Sequence, residues 1–335
     1  MTNQIASPVA LEPVLKLTER VGRDPLLTQG SSGNSSAKLD GALWIKASGR
    51  WMADALRDHI MLPLDLDEVR ACLRQGVDPS ARYGSASLET AMHAVLPHRI
   101  VLHVHCVNTI AWAVRKDAAA QLEARLKGLR WQWIPYAESG LSLAHAVERT
   151  MAIAPATDVL VLGNHGLVIG ADNAENLEKL LAEVGRRLAV CPRQAHPADY
   201  AVLWETSCDS HWETPDDDAV HALATDETSR RILKGGLLYP CQAIFSGDAA
   251  EELFHPIFNL EDCRRLYWDR PFLILEGVGV LTRRGMTDAE LRMLSGLAQV
   301  VQRVTPAAEL RYLTSREAAR VSGDVAHRYR TLASK

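Results

Sequence analysis

Along residues 8–22, apolar side chains recur at helical spacing (Leu11, Val14, Leu15, Leu17, Val21), which predicts a surface helix with one buried face. The pattern changes over 37–46, where apolar and polar positions alternate on either side of Asp40-Gly41. That pair tolerates the positive φ of a tight turn, so the segment reads as a hairpin. Helical spacing returns over 65–76 and again after Ser87, a candidate N-cap that would put Glu89 in the first turn. Glu89 and His93, four residues apart, would share a face of that helix, and Pro97 ends it. Residues 99–105, Arg-Ile-Val-Leu-His-Val-His, are short, β-branched and apolar, as a buried strand requires. Strand side chains alternate, so His103 and His105 point to one face.

Helices are expected over 107–115, 117–127, 142–153 and 173–190, and a strand over 131–136. Residues 158–170 read as strand, tight corner and strand, with Asn164-His165-Gly166 at the corner. Strands and helices thus alternate through 1–190, an α/β domain. The polar, Pro-bearing stretch 191–199 reads as a linker, and 200–335 as a second, smaller α/β domain. In that part helices are expected near 216–234, 248–254, 287–303 and 315–333, and strands at 236–246 and 271–282.

Length agrees with this division, since 335 residues exceed one ordinary core. Composition is that of a globular protein, with 47% hydrophobic and 23% charged residues. A net charge of −4 gives no general pull toward nucleic acid or an anionic membrane, so neither is an expected partner. Cys72, Cys106, Cys191, Cys208, Cys241 and Cys263 form no CxxC pair and suggest neither a disulfide framework nor a zinc knuckle. There is no signal-like N-terminus and no apolar run of the roughly 18 to 20 residues a membrane helix needs, so a cytoplasmic protein is expected.

The candidate chemistry sits in the first domain. Residues 28–36, Thr-Gln-Gly-Ser-Ser-Gly-Asn-Ser-Ser, form a small-residue loop that can leave backbone N–H groups facing a ligand. The hairpin behind it gives that loop a fixed position. Ala47-Ser48-Gly49, after the second arm, is another corner able to bring backbone close to an anion. Lys38 and Lys46, on the two arms, are expected either in solvent or adding positive charge to that pocket. Two imidazoles side by side on a strand can pre-place two metal ligands. An isolated His-x-His is more often a hydrogen-bonded pair at a sheet end.

The ordered set changes that balance. Gly33-Asn34-Ser35-Ser36, Lys46-Ala-Ser-Gly49, Ser87-Leu-Glu89, His103-Val-His105, Pro135-Tyr136 with Gly140, and Asn164-His165-Gly166 together resemble the motifs of the class II aldolase/adducin family, in the same order. The resemblance implies a three-layer α/β/α domain around a central mixed or antiparallel sheet. It implies His103, His105 and His165 as ligands of a divalent metal, zinc first, with Mn2+, Fe2+ and Co2+ as alternatives. It implies Glu89 as the residue that moves a proton, its carboxyl raised by burial, and Tyr136 as the partner of the aldehyde oxygen. Gly33, Asn34, Ser48, Gly49 and Ser87 match positions that line a substrate phosphate. Leu88 departs from the pattern, standing where the family has a second serine. The implied activity is a zinc-dependent aldehyde-lyase, cleaving a small hydroxylated ketose or sugar acid through a metal-stabilised enediolate. A pentulose-phosphate 4-epimerase, a sugar-acid decarboxylase and a non-catalytic adducin-like interaction module are the alternatives. A sugar or sugar-phosphate substrate and a homo-oligomer are the implied partners.

Overall fold

The Asp40-Gly41 pair closes a hairpin with both residues at positive φ, 49° and 79°, in the computed structural model that describes residues 9–246, 254–255 and 270–334. Its arms are β1 (Asn34–Leu39) and β2 (Ala42–Lys46). With β3 (Met61–Asp65), β4 (Ile100–Val104), β5 (Trp131–Ile134), β6 (Val159–Leu162) and β7 (Gly166–Ala171) they form a seven-stranded sheet. The order is β3-β2-β1-β4-β7-β6-β5, and every pairing is antiparallel except β5 with β6. The sheet is therefore mixed.

Helices cover both sides, and β1 shows how its sequence serves the two layers. Ser35 Oγ lies 2.6 Å from Thr18 Oγ1 of the helix Glu12–Gly22. The neighbouring Ser36 points the other way, with Oγ 2.7 Å from His93 Nδ1 of the helix Thr90–Val95. On that second side Met92, Leu96, Val101, Leu143, Val147, Leu160 and Val168 form one buried cluster with the helix Leu141–Ile153. The helix Ala174–Leu188 buries Leu177, Leu181, Val184 and Leu188 and packs on β7. Of the stripe expected over 8–22, Leu11, Val14, Leu17 and Val21 are buried and Leu15 is half-buried.

The expected 65–76 helix runs Leu66–Arg74, because the Asp65 carboxylate caps the N–H groups of Asp67 and Glu68. Strand β3 was not expected. It is an edge strand carrying Pro63, where the missing N–H removes no ladder bond, and its Met-Leu-Pro-Leu-Asp sequence does not alternate.

By its internal contacts the chain divides into two units, Met1–Thr109 with Ala119–Ala189, and Ile110–Ala118 with Val190–Ser334. Residues 189–199 carry neither helix nor strand. The second unit holds β8 (Trp212–Glu213), β9 (Phe254–His255), β10 (Phe272–Leu275) and β11 (Gly279–Arg283), in the order β8-β11-β10-β9. Leu203, Trp212, Leu273, Leu275 and Leu281 form its buried cluster. The expected 216–234 helix is two, Asp218–Thr225 and Glu227–Lys234, because Asp226 leaves the helical conformation and caps the second. Gly323, at φ 61°, likewise divides 315–333.

Residues 236–246 correct the sequence reading. In place of a strand they hold the helix Pro240–Ser246. Pro240 suits a first helical position, and Gln242 Oε1 accepts the Leu238 N–H ahead of it. A short apolar run such as Ala243-Ile-Phe245 does not separate strand from helix by periodicity. The expected 248–254 helix falls almost wholly outside the described residues. No helix among the described residues is long and apolar enough to cross a membrane.

Candidate metal centre

Strand β4 carries His103 and presents His105 one residue beyond its end, on the same face. Its register pairs His103 with Asn34 of β1 on one side and Val168 of β7 on the other. His165 arrives from the corner between β6 and β7. There Asn164 takes a positive φ of 51°, a left-handed turn that asparagine tolerates. Gly166 follows, and a Cβ on it would stand 2.5 Å from the Val104 carbonyl oxygen. The absence of a side chain at Gly166 lets the corner close onto β4.

The three rings meet at centroid separations of 4.9, 4.8 and 5.1 Å, and one nitrogen from each lies within 4.8 Å of the others. His103 and His105 face each other through Nε2 atoms 3.1 Å apart. Glu89 Oε1 stands 3.4 Å from His103 Nε2 and 3.1 Å from His165 Nε2. Tetrahedral bonds of about 2.0–2.1 Å would set neighbouring donors about 3.3 Å apart, close to the His103–His105 separation and to those of Glu89 Oε1 from His103 and His165. All four side chains are buried. His103 Nδ1 lies 3.1 Å from the Leu167 carbonyl oxygen, which can only accept, so Nδ1 carries the proton and Nε2 offers its lone pair inward.

Burial pushes the His103 imidazole down to about 4, and it holds His105 well below the ordinary histidine value. Both rings are therefore neutral near pH 7, as ligation requires. Glu89 departs from expectation. Burial does push its carboxyl up, but the neighbouring His103, His165 and His105 outweigh it and hold the group well below the usual carboxylate range.

Glu89 also sits differently along its helix. It occupies the N-cap position of Thr90–Val95 and makes no side-chain cap, its carboxylate being turned into the site. Ser87, expected there, instead accepts the Glu89 N–H at 3.2 Å through Oγ. Asn34 Nδ2 donates to Glu89 Oε2 at 2.6 Å and to Ser87 Oγ at 3.2 Å. Ser139 Oγ donates to Glu89 Oε1 at 3.4 Å. Neither contact to the carboxylate was expected; Ser139 lies inside the Tyr136–Gly140 motif, the one sequence signal that could have marked it.

Gly33 needs its missing side chain, since at φ 69° a Cβ would stand 2.8 Å from the His103 carbonyl oxygen. Ser48 donates its N–H to the Ser85 oxygen at 2.9 Å, and Ala47 bridges Ala86, so the Ser48-Gly49 corner lies along the segment leading to Ser87. Tyr136 is half-buried, its backbone beside Gly163 at the start of the histidine corner. Thus direct contacts link Asn34, Ser87, Glu89 and the three histidines, Gly33 backs onto the His103 carbonyl, and Ser48 reaches the neighbouring segment through its bond to Ser85.

Lys38 and Lys46 are not solvated. Lys38 Nζ donates to the Leu96 and His98 carbonyls at 2.7 and 2.9 Å, closing the chain end of the Thr90–Val95 helix. Lys46 is 2% exposed, and its Nζ donates to Ser31, Ala47 and Arg50 carbonyls. Burial pushes each amine down to about 7.

Against known proteins, a family model described as class II aldolase and adducin N-terminal domain matches residues 14–190. The uncharacterized oxidoreductase YuxG of Bacillus subtilis (strain 168) is 24% identical over 190 residues, 50% of this chain and 27% of that protein. The chain therefore spans about a quarter of that relative's length. Among solved structures, the N-terminal class II aldolase domain of a conserved protein from Thermoplasma acidophilum is 21% identical, with a TM-score of 0.47, over 56% of this chain and 97% of that one. The l-fuculose-1-phosphate aldolase of Thermus thermophilus is 18% identical, with a TM-score of 0.36, over 52% of this chain and 92% of that one.

Proposed function

This chain belongs to the class II aldolase and adducin family, and on that premise we propose that it is a metal-dependent aldehyde-lyase acting on a small hydroxylated ketose or sugar acid with an anionic end. The observation that carries the reading is the convergence of three buried imidazoles and one carboxylate, with Glu89 Oε1 3.1 Å from His165 Nε2 and 3.4 Å from His103 Nε2. An interaction module has no use for such a cluster, whose burial is unfavourable without a shared role.

His103, His105 and His165 would hold the metal, zinc by the all-nitrogen donor set, with manganese, iron or cobalt as substitutes. When bound, the metal supplies Lewis-acid charge to the carbonyl and hydroxyl oxygens of the substrate. Glu89, held by Asn34 and Ser139, is the carboxylate placed to take up a proton and pass it to the carbon that loses its bond. Tyr136, as its phenolate, takes the hydroxyl proton of the departing aldehyde. The anionic end of the substrate lies against Gly33, Asn34, Ser48, Gly49 and Ser87.

Metal analysis tests the site first. Purified wild type should carry one equivalent of divalent metal, and the H103A/H105A double variant none; absence of metal in both overturns the reading. Sugar phosphates and sugar acids are then screened for aldehyde or carbon dioxide release, with E89Q as the control. Aldehyde released by wild type and lost in E89Q supports the lyase, whereas carbon dioxide or an epimer alone replaces it with the corresponding activity.

A further inference from the structure

Of the three histidines, His105 is the one that stands beyond its strand. Strand β4 ends at Val104, and its ladder pairs stop at His103 toward β1 and at Val104 toward β7. His103 has its Nδ1 against the Leu167 carbonyl, and His165 has the tight corner at Asn164. The main chain at His105 is gripped by residues 25–29. Gln29 Nε2 donates to the His105 carbonyl at 3.3 Å and to the Pro25 carbonyl at 2.8 Å. Two residues on, the Val107 N–H donates to the Leu26 carbonyl at 2.9 Å. Carbonyl oxygens only accept, so the NH2 end of the Gln29 amide is the end that faces them.

The grip is itself fixed. Gln29 is buried, its own N–H donates to Ser32 Oγ at 2.8 Å, and Asp24 Oδ1 accepts the Leu26 N–H at 2.8 Å. Thr28 Oγ1 donates to the Val21 carbonyl of the helix Glu12–Gly22, whose Thr18 meets Ser35 of β1. Bonded contacts thus run from β1 through that helix to the peptide of His105.

We propose that Gln29 is a positioning residue for His105: its side-chain amide fixes the peptide that carries this imidazole, and so keeps its nitrogen among those of His103 and His165. A strand holds its own residues by the ladder, but a residue past the last rung needs another support. A buried amide with its donors met by carbonyls 76 residues apart from one another's neighbourhood in the chain, at Pro25 beside it and at His105, supplies that support. The inference rests on the metal-centre reading above and concerns what orients one ligand of it.

The test measures zinc affinity of the full chain by chelator competition, for wild type, Q29M, H105A and Q29M/H105A. Methionine keeps the length and removes the donors. Q29M should bind zinc at least about tenfold more weakly than wild type, the usual effect of losing a group that orients a ligand from behind. In the H105A background the same change should matter by less than about twofold, because Gln29 acts through His105 alone. No loss in Q29M, or an equal loss in both backgrounds, overturns the proposal while the metal centre stands. Wild type without zinc overturns the metal-centre reading, and this inference with it. If a variant does not fold, or H105A holds no measurable zinc, amide spectra of wild type decide. Zinc should then shift the Gln29 side-chain amide together with the His105 and Val107 backbone, and an unmoved Gln29 amide overturns the proposal.

Discussion

Gly166 shows how little room the candidate centre leaves at single residues. A methyl group there would stand 2.5 Å from the Val104 carbonyl oxygen and 3.3 Å from His103 Cε1, and backbone cannot yield as a flexible side chain can. G166A is therefore expected to cost about 1–3 kcal/mol by overpacking and to weaken zinc binding at least tenfold, because the corner delivers His165. Urea denaturation and a zinc-chelator competition check both effects, and an unchanged variant refutes the close approach. His93, which is not one of the three candidate ligands, gives a pH signature of its own. Burial lowers its imidazole to about 3, against an ordinary value of 6.5. Below pH 3 both folded and unfolded chains bind this proton, and above 6.5 neither does. Between those limits the unfolded chain binds more, so stability rises with pH across the window. Going from pH 7 to 5 should cost wild type about 2 kcal/mol more than H93Q, measured by urea denaturation at the two pH values. The three histidines were legible in the sequence because each stands in a motif with its own geometry. The grip of Asn34 on Glu89 was not, since it depends on a cross-strand register. Nor was the burial of Lys46, because a lysine defaults to the surface unless partners are known.

Elements were legible where local chemistry alone decides them. Asp40-Gly41 places a turn by backbone preference, and the Glu12–Gly22 and Ala174–Leu188 helices follow a stripe that their own residues spell out. Boundaries follow the caps. Asp65 accepts the N–H groups of both Asp67 and Glu68, each at 2.9 Å, and so starts the Leu66–Arg74 helix. D65A is expected to lower stability by about 1 kcal/mol while leaving metal content at wild-type level, since this helix supplies no residue to the centre. Thermal melting with metal analysis separates those effects, and loss of metal would tie the helix to the site. Elements were misread where length or position, not pattern, decides. Strand β3 exists because an open edge of β2 accepts it, Pro63 included. The run 236–246 became a helix because Pro240 can start one and Gln242 supports its entry. Neither circumstance shows as a period in the sequence.

At the scale of the whole molecule, the site is a product of strand order. Alternation of helices and strands announced an α/β domain but not that β4 would lie between β1 and β7, joining segments that are distant in the chain. That placement sets Asn34 opposite His103 and carries the β6–β7 corner to the end of β4. A register slip of one residue on β4 would turn His103 and His105 to the opposite layer, so the pairing of the central strands and the metal centre stand or fall together. A cation held by His103, His105 and His165 bridges two non-adjacent segments of the chain and binds the folded sheet but not an unfolded one. By linkage it should stabilise the fold by about 2.7 kcal/mol at free zinc one hundredfold above its dissociation constant. Chelator treatment is thus expected to lower the melting temperature of wild type, and added zinc to restore it. In H103A/H105A neither treatment should move the transition. If zinc shifts both proteins equally, it acts elsewhere on the chain, and the convergence of the imidazoles is a feature of packing alone.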